Sequence, residues 1–150
     1  MMRRGLVGCF VFLALAGGFA GTARALEYRS VAAPVAVFHE APRGKKLYLL
    51  KEGTPLEILI HQGDGWIKAR DAEGTLAWVE SRALSTRRTV VVTATRADVR
   101  KSASMDAPIV FQAEKWVALE LLESGQTGWA KVRHRDGASG FVRITQIWGL

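Results

Sequence analysis

Two short stretches hold the side chains best suited to bind something: Gly65-Trp66-Ile67-Lys68-Ala69-Arg70 and Gly128-Trp129-Ala130-Lys131-Val132-Arg133. Read as a strand, each sends Trp, Lys and Arg to one face and small or apolar residues to the other, because strand side chains alternate. An indole flanked by two cations on an exposed face suits an acidic peptide or a glycan, through stacking and charge-assisted hydrogen bonds. The candidate ligand-binding residues are therefore Trp66, Lys68, Arg70, Trp129, Lys131 and Arg133. A competing reading has Trp66 and Trp129 close the end of a barrel while the cations solvate the face, their aliphatic stems lying on apolar surface. A second aromatic set, Tyr48, Trp78, Trp116, Phe141 and Trp148, is assigned mostly to the core, because a small barrel needs large side chains to fill it.

Other chemistries find little material. His39, His61 and His134 fall at non-equivalent places in the two halves, and no Asp or Glu stands at helical metal spacing from any of them, so no metal or histidine-based site is expected. Ser and Asp fall in turns, where they serve turn chemistry. No glycine-rich loop follows a strand and opens a helix, as a phosphate cradle would require. No cofactor and no enzymatic activity are expected.

The first 25 residues read as a secretory leader. Arg3 and Arg4 precede an apolar run from Leu6 to Ala20, and Ala23-Arg24-Ala25 is a small-x-small cleavage site. The run is shorter than the roughly 20 residues of a spanning helix, so cleavage rather than anchoring is expected, with no stable membrane insertion afterwards. Cys9, the only cysteine, lies before most of the apolar run rather than after it, which argues against lipidation. Cleavage would leave a chain without disulfides or thiolate ligands, in a periplasmic or secreted location. The leader holds three of the 21 basic residues and no acid, so 18 would remain against 14 acids. Much of that modest surplus is Arg87, Arg88 and Arg96 between the halves, too small a patch for nucleic acid.

The elements that must position the candidate residues are short. Val31 to Phe38, interrupted by Pro34, reads as an irregular or edge strand; Leu47 to Leu50, Pro55 to Ile60, the Gly-Trp strand and Thr75 to Glu80 follow, and Ser81 to Leu84 reads as one helical turn. In the strand from Pro55, Ile58 and Ile60 are expected on one face and Glu57 and Leu59 on the other. The second half repeats the order: Thr89 to Thr95, Ala97 to Arg100, Ile109 to Phe111, and a strand from Trp116 to Glu123. Gly65, Trp66, Lys68, Arg70, Gly74 and Val79 recur 63 positions later, whereas Glu52/Glu114 and Leu59/Leu121 are 62 apart. One inserted residue near Ser124–Thr127 would account for the step. Short β segments at close spacing, twice over and without a long helix, predict an all-β chain of two small tandem barrels.

The succession apolar strand, Lys51-Glu52-Gly53, apolar strand, Gly-Trp-x-Lys-x-Arg, turn, then Trp78-Val79 or Phe141-Val142 resembles bacterial SH3-like domains. Leu84-Ser85-Thr86-Arg87-Arg88-Thr89 and the Trp148-Gly149 ending are similar to exported proteins with two such domains. Beyond the signal peptide read over 1–25, the resemblance implies SH3-like domains over 26–85 and 86–150, and a non-catalytic protein that binds cell-envelope material, either peptidoglycan or an envelope protein. An alternative is an interaction or scaffold role in which barrel edge strands pair with a partner. Two departures stand out. The family's Asn-Val-Arg-x-Gly-Pro segment is reduced to Asp98-Val99-Arg100-Lys101-Ser102 in one half and Val37-Phe38-His39-Glu40 in the other, and Lys115 stands where a glycine is expected opposite Gly53. The acidic, tyrosine-rich segment with which eukaryotic SH3 domains grip proline-rich peptides is absent, so that function is not implied.

Overall fold

The computed structural model describes residues 25–125 and 127–150; the leader reading falls, Ala25 apart, on residues outside these. The first half comprises β1 (Glu27–Val31), β2 (Val35–His39), β3 (Lys46–Lys51), β4 (Pro55–Gln62), β5 (Trp66–Arg70) and β6 (Leu76–Glu80), then one 3-10 turn at Ser81–Ala83 and β7 (Leu84–Ser85). The second comprises β8 (Thr89–Val92), β9 (Arg96–Arg100), β10 (Ile109–Glu114), β11 (Ala118–Ser124), β12 (Trp129–Arg133) and β13 (Ser139–Arg143), a 3-10 turn at Ile144–Gln146 and β14 (Ile147–Trp148). Each half is one antiparallel sheet, ordered β3-β2-β6-β5-β4-β1-β7 and β10-β9-β13-β12-β11-β8-β14. The expected all-β tandem architecture is present. Among the described residues no helix is long and apolar enough to cross a membrane.

Each sheet encloses its own core. Phe38, Leu56, Ile67 and Val79 fill the first, and Val90, Val92, Val99, Leu119, Val132 and Val142 the second. In WIKAR and WAKVR the inward Ile67, Ala69, Ala130 and Val132 are buried while the lysines and arginines are not, the pattern of strands with one face inward, and Trp66 and Trp129 are buried as well.

The register of the repeat differs from the sequence expectation. From β3 onward the halves are related by 63 positions throughout: Lys51/Glu114, Thr54/Val117 and Glu57/Glu120 make the same turn closures and pairings. Before β3 the offset is 61, since Val31 and Val92 close the same turn and Phe38 and Val99 fill the same core place. The extra residues therefore lie in the loop 101–108, two longer than its counterpart 40–45, and not near Ser124–Thr127. Opposite Gly53 stands Trp116, not Lys115. Each closes a β-turn, Lys51–Thr54 in one half and Glu114–Val117 in the other. Gly53 has φ 81° and Trp116 φ 70°. That turn is why β11 starts at Ala118 rather than at Trp116.

A second correction concerns β4. A bulge between Ile58 and Ile60 shifts its pairing with β5, and the same bulge recurs between Leu121 and Glu123. A bulge reverses which alternate residues face inward. Ile58 is accordingly buried while Ile60 is 49% exposed, although alternation placed them together.

The two barrels dock. Thr89 Oγ1 donates to the Gly53 carbonyl at 2.8 Å, and Arg88 lies over the Tyr28 ring, whose other neighbour is the edge of Trp148 at 5.3 Å. A Cβ on Gly149 would come within 3.1 Å of Pro55, and one on Gly53 within 3.3 Å of Ala118. Val91, on the other face of β8 from Val90 and Val92, is only 6% exposed where β8 meets β4.

Candidate functional site

The six candidate side chains do sit at alternate positions of β5 and β12, but their partners are internal. Trp66 and Trp129 are buried, at 6% and 8% exposure, the first against the His39 ring and the second beneath the Arg143 guanidinium. Neither presents an open indole face. Lys68 Nζ lies 6.0 Å from the Trp78 ring centre, and Lys131 Nζ lies 5.9 Å from that of Phe141 and 3.2 Å from Glu123. Arg70 holds Glu57 through Nε and Nη2, and Arg133 holds Glu120 in the same way.

The two arginine–glutamate pairs differ in burial. The Glu57 side chain is 5% exposed, that of Glu120 20%, and Glu120 is shared with Arg87 from the connection. The two guanidiniums hold the Glu120 carboxyl below the usual carboxylate range, chiefly through the Arg87 hydrogen bond and then that of Arg133. Removing Arg70 leaves a buried carboxylate without its counter-ion, whereas removing Arg133 leaves Glu120 with Arg87 and water. Arg70→Met is therefore expected to destabilise the chain by about 2–3 kcal/mol, and Arg133→Met by less than about 1 kcal/mol. Paired urea titrations compare them; equal losses would mean that burial of Glu57 does not matter.

None of the five aromatic residues assigned mostly to the core lies in either core: Trp78, Phe141 and Trp148 are half-buried and the other two are exposed. Trp116 is 48% and Tyr48 37% exposed, and both line a groove of about 1140 Å³ between the barrels. Its first wall is β3 with the turn at Asp71–Glu73, and its second is the start of β11 with the turn at Arg133–Gly137. Arg133 is the one member of the candidate stripe that reaches it. Sequence reasoning missed the groove because it is made by docking. The signal within the chain was the 63-residue register, which would have placed a tryptophan opposite a turn glycine.

Tyr48 donates to Asp71 Oδ2 at 2.5 Å, and Asp71 Oδ1 accepts from the backbone N–H of Glu73 and Thr75. The corresponding pair in the second barrel is Phe111 and His134, whose rings lie 5.8 Å apart. Burial, with the Asp71 hydrogen bond second, pushes the Tyr48 phenol up to about 12. The folded state thus favours the neutral phenol. The contribution is fully present below the ordinary tyrosine value near 10 and is lost as pH rises towards about 12. Thermal midpoints of wild type and Tyr48→Phe should differ at pH 8 and converge over that window. A constant difference would show that the phenol does not titrate with folding.

The histidines are engaged locally: His39 Nδ1 with the Gly44 carbonyl, His61 with Glu27 and His134 with Asp136. Among the described residues, no three His, Cys, Asp or Glu side chains gather as a metal-ligand set.

The family model described as Bacterial SH3 domain matches twice, over residues 32–86 and 93–149. No curated protein matches the chain. Among solved structures it is similar to NlpC2 from Trichomonas vaginalis, at 14% identity and TM-score 0.37, covering 83% of this chain and 48% of that one. It is also similar to NlpC1 from Trichomonas vaginalis, at 13% identity and TM-score 0.38, covering 91% and 50%. The chain spans about half the length of these structures. With one match on each barrel, the chain belongs to the bacterial SH3 domain family as a tandem pair.

Proposed function

We propose that this is a non-catalytic, exported binding protein whose paired bacterial SH3 domains recognise cell-envelope material, peptidoglycan or an envelope protein. Membership of the family supports the class of function, and the apolar run ahead of Ala23-Arg24-Ala25 supports export. The observation that carries the reading is the groove between the barrels. It is concave, holds exposed Tyr48 and Trp116 beside Arg87, Arg133 and Arg135, and exists only because the barrels dock. Exposed aromatics and a few convergent charges in a concavity are the usual materials of a recognition site.

The mature chain, residues 26–150, is expected to be retained on purified insoluble cell wall and to elute as salt rises, because exposed charges are screened within roughly 8 Å at physiological ionic strength. Arg133→Ala with Arg135→Ala should lower the salt needed for elution. Retention no greater than that of an unrelated protein of equal charge would remove the wall from the reading and leave the envelope protein. A specific observation favours a partner strand as a second reading. Among the described residues β3 pairs only with β2, and its Leu47, Tyr48 and Leu49 are exposed.

A further inference from the structure

We propose that the groove binds an extended peptide, which adds as a strand to the free edge of β3 and packs on the Trp116 indole, with an apolar centre and charges of both signs. The proposal rests on the binding reading above and names the ligand class.

The edge comes first. β3 is the terminal strand of its sheet, and its exposed run of Leu47, Tyr48 and Leu49 (66% exposed at Leu49) continues into the groove, which Tyr48 to Lys51 line. A one-sided, apolar strand is a template for another chain unless something blocks it. What blocks self-pairing is visible. Lys46 and Lys51 bracket the apolar run, so an antiparallel copy of β3 would set Lys46 against Lys51 and repel. A different strand, carrying an acid at one end, meets no such penalty.

The walls then select for charge. Glu52 and Glu73 are exposed on the first-barrel side, while on the other Arg87 and Arg133 outnumber the Glu120 they hold and exposed Arg135 adds a third cation. A polymer of one sign would be repelled by one wall, whereas a segment bearing both signs complements both.

Trp116 supplies the anchor. Its φ of 70° belongs to glycine, and the twin turn in the first barrel does use glycine. The turn itself therefore needs no side chain there, yet this one holds a bulky residue in a strained conformation with 48% of it exposed. Strain kept at a solvent-facing groove indicates that the side chain serves something other than the fold. Lys115 Nζ lies 4.7 Å from the centre of that ring.

A bead-displayed library of random heptapeptides, panned in parallel against mature wild type and Trp116→Gly, tests this. Wild type is expected to enrich sequences with an apolar centre and one residue of each charge. An enriched peptide should bind it at least tenfold more tightly than Trp116→Gly, and lose binding when a central residue becomes proline, which has no N–H to pair with β3. Trp116→Gly should meanwhile melt at or above wild type, since it relieves the turn. The proposal is overturned by no enrichment, by enrichment that Trp116→Gly retains, or by a lower melting temperature for Trp116→Gly, which would make the indole a structural prop. Concentration-dependent self-association abolished by Leu49→Glu would also overturn it and assign the edge to a second copy. Cell-wall retention is measured on the same proteins: retention without peptide enrichment ends the peptide inference alone, and loss of both ends the binding reading as well.

Discussion

Val91→Lys is expected to lower the melting temperature of the entire chain by about 10 °C, although Val91 belongs to neither core. Val90 and Val92 point into the second barrel, so Val91 points out of it, and its 6% exposure comes from docking where β8 meets β4. Burying a valine contributes about 1.5–3 kcal/mol. A lysine there would forfeit that and bring an ammonium into a partly dehydrated contact, for a loss of about 3 kcal/mol in all. At this size each kcal/mol displaces the midpoint by roughly 3 °C. An isolated first barrel, residues 26–85, should likewise melt well below the intact protein, because docking covers Pro55 and Gly53. Calorimetry decides. Two transitions, each reproduced by its isolated half and only the later half responding to Val91→Lys, would show that the barrels do not support each other.

Phe38→Ala should have a larger effect. Phe38 is fully buried at the centre of the first core, and its ring meets Tyr48 at 5.5 Å. Truncating such a side chain costs about 3–5 kcal/mol, because the lost contacts leave a cavity that the sheet closes only partly. A barrel of some 60 residues has little more than that to lose. The first barrel should therefore be largely unfolded at 37 °C, and the second should melt earlier than in wild type because Val91 and Trp148 lose their cover. The indole N–H resonances report on each half separately: those of Trp66 and Trp78 should collapse towards random-coil positions while that of Trp129 persists. Retention of all three at 37 °C would mean that the core around Phe38 repacks without a cavity.

The substitutions at Arg70 and Arg133 bear on the same coupling. Glu57 is buried in the first barrel and Glu120 is reached by Arg87 of the connection. The second pair thus helps to hold the barrels' connection rather than a core, and its loss is felt in the groove.

Much of this architecture is legible in the residues alone. Gly-Trp-x-Lys-x-Arg followed by a turn and an aromatic-Val pair identifies strand, turn and strand, because side-chain alternation and turn chemistry are local properties. Their recurrence identifies the tandem. The same locality places Trp, Lys and Arg on one face in each copy. It does not say whether that face is open, and only the packed barrels show Trp66 and Trp129 covered and the cations paired. The offset of 62 at Glu52/Glu114 looked like homology because matching letters are weak evidence within a charged turn; the backbone pairs Glu52 with Lys115 and Gly53 with Trp116 instead. Bulges at Leu59 and Leu122 are a choice of the paired strands and carry no signature in either strand by itself. The groove depends on still more distant contacts, since Tyr48 and Trp116 become neighbours of one concavity only after Thr89, Arg88 and Val91 dock the barrels. Local sequence determines the units; burial between units, which no local pattern encodes, decides which of their aromatic side chains stay in water.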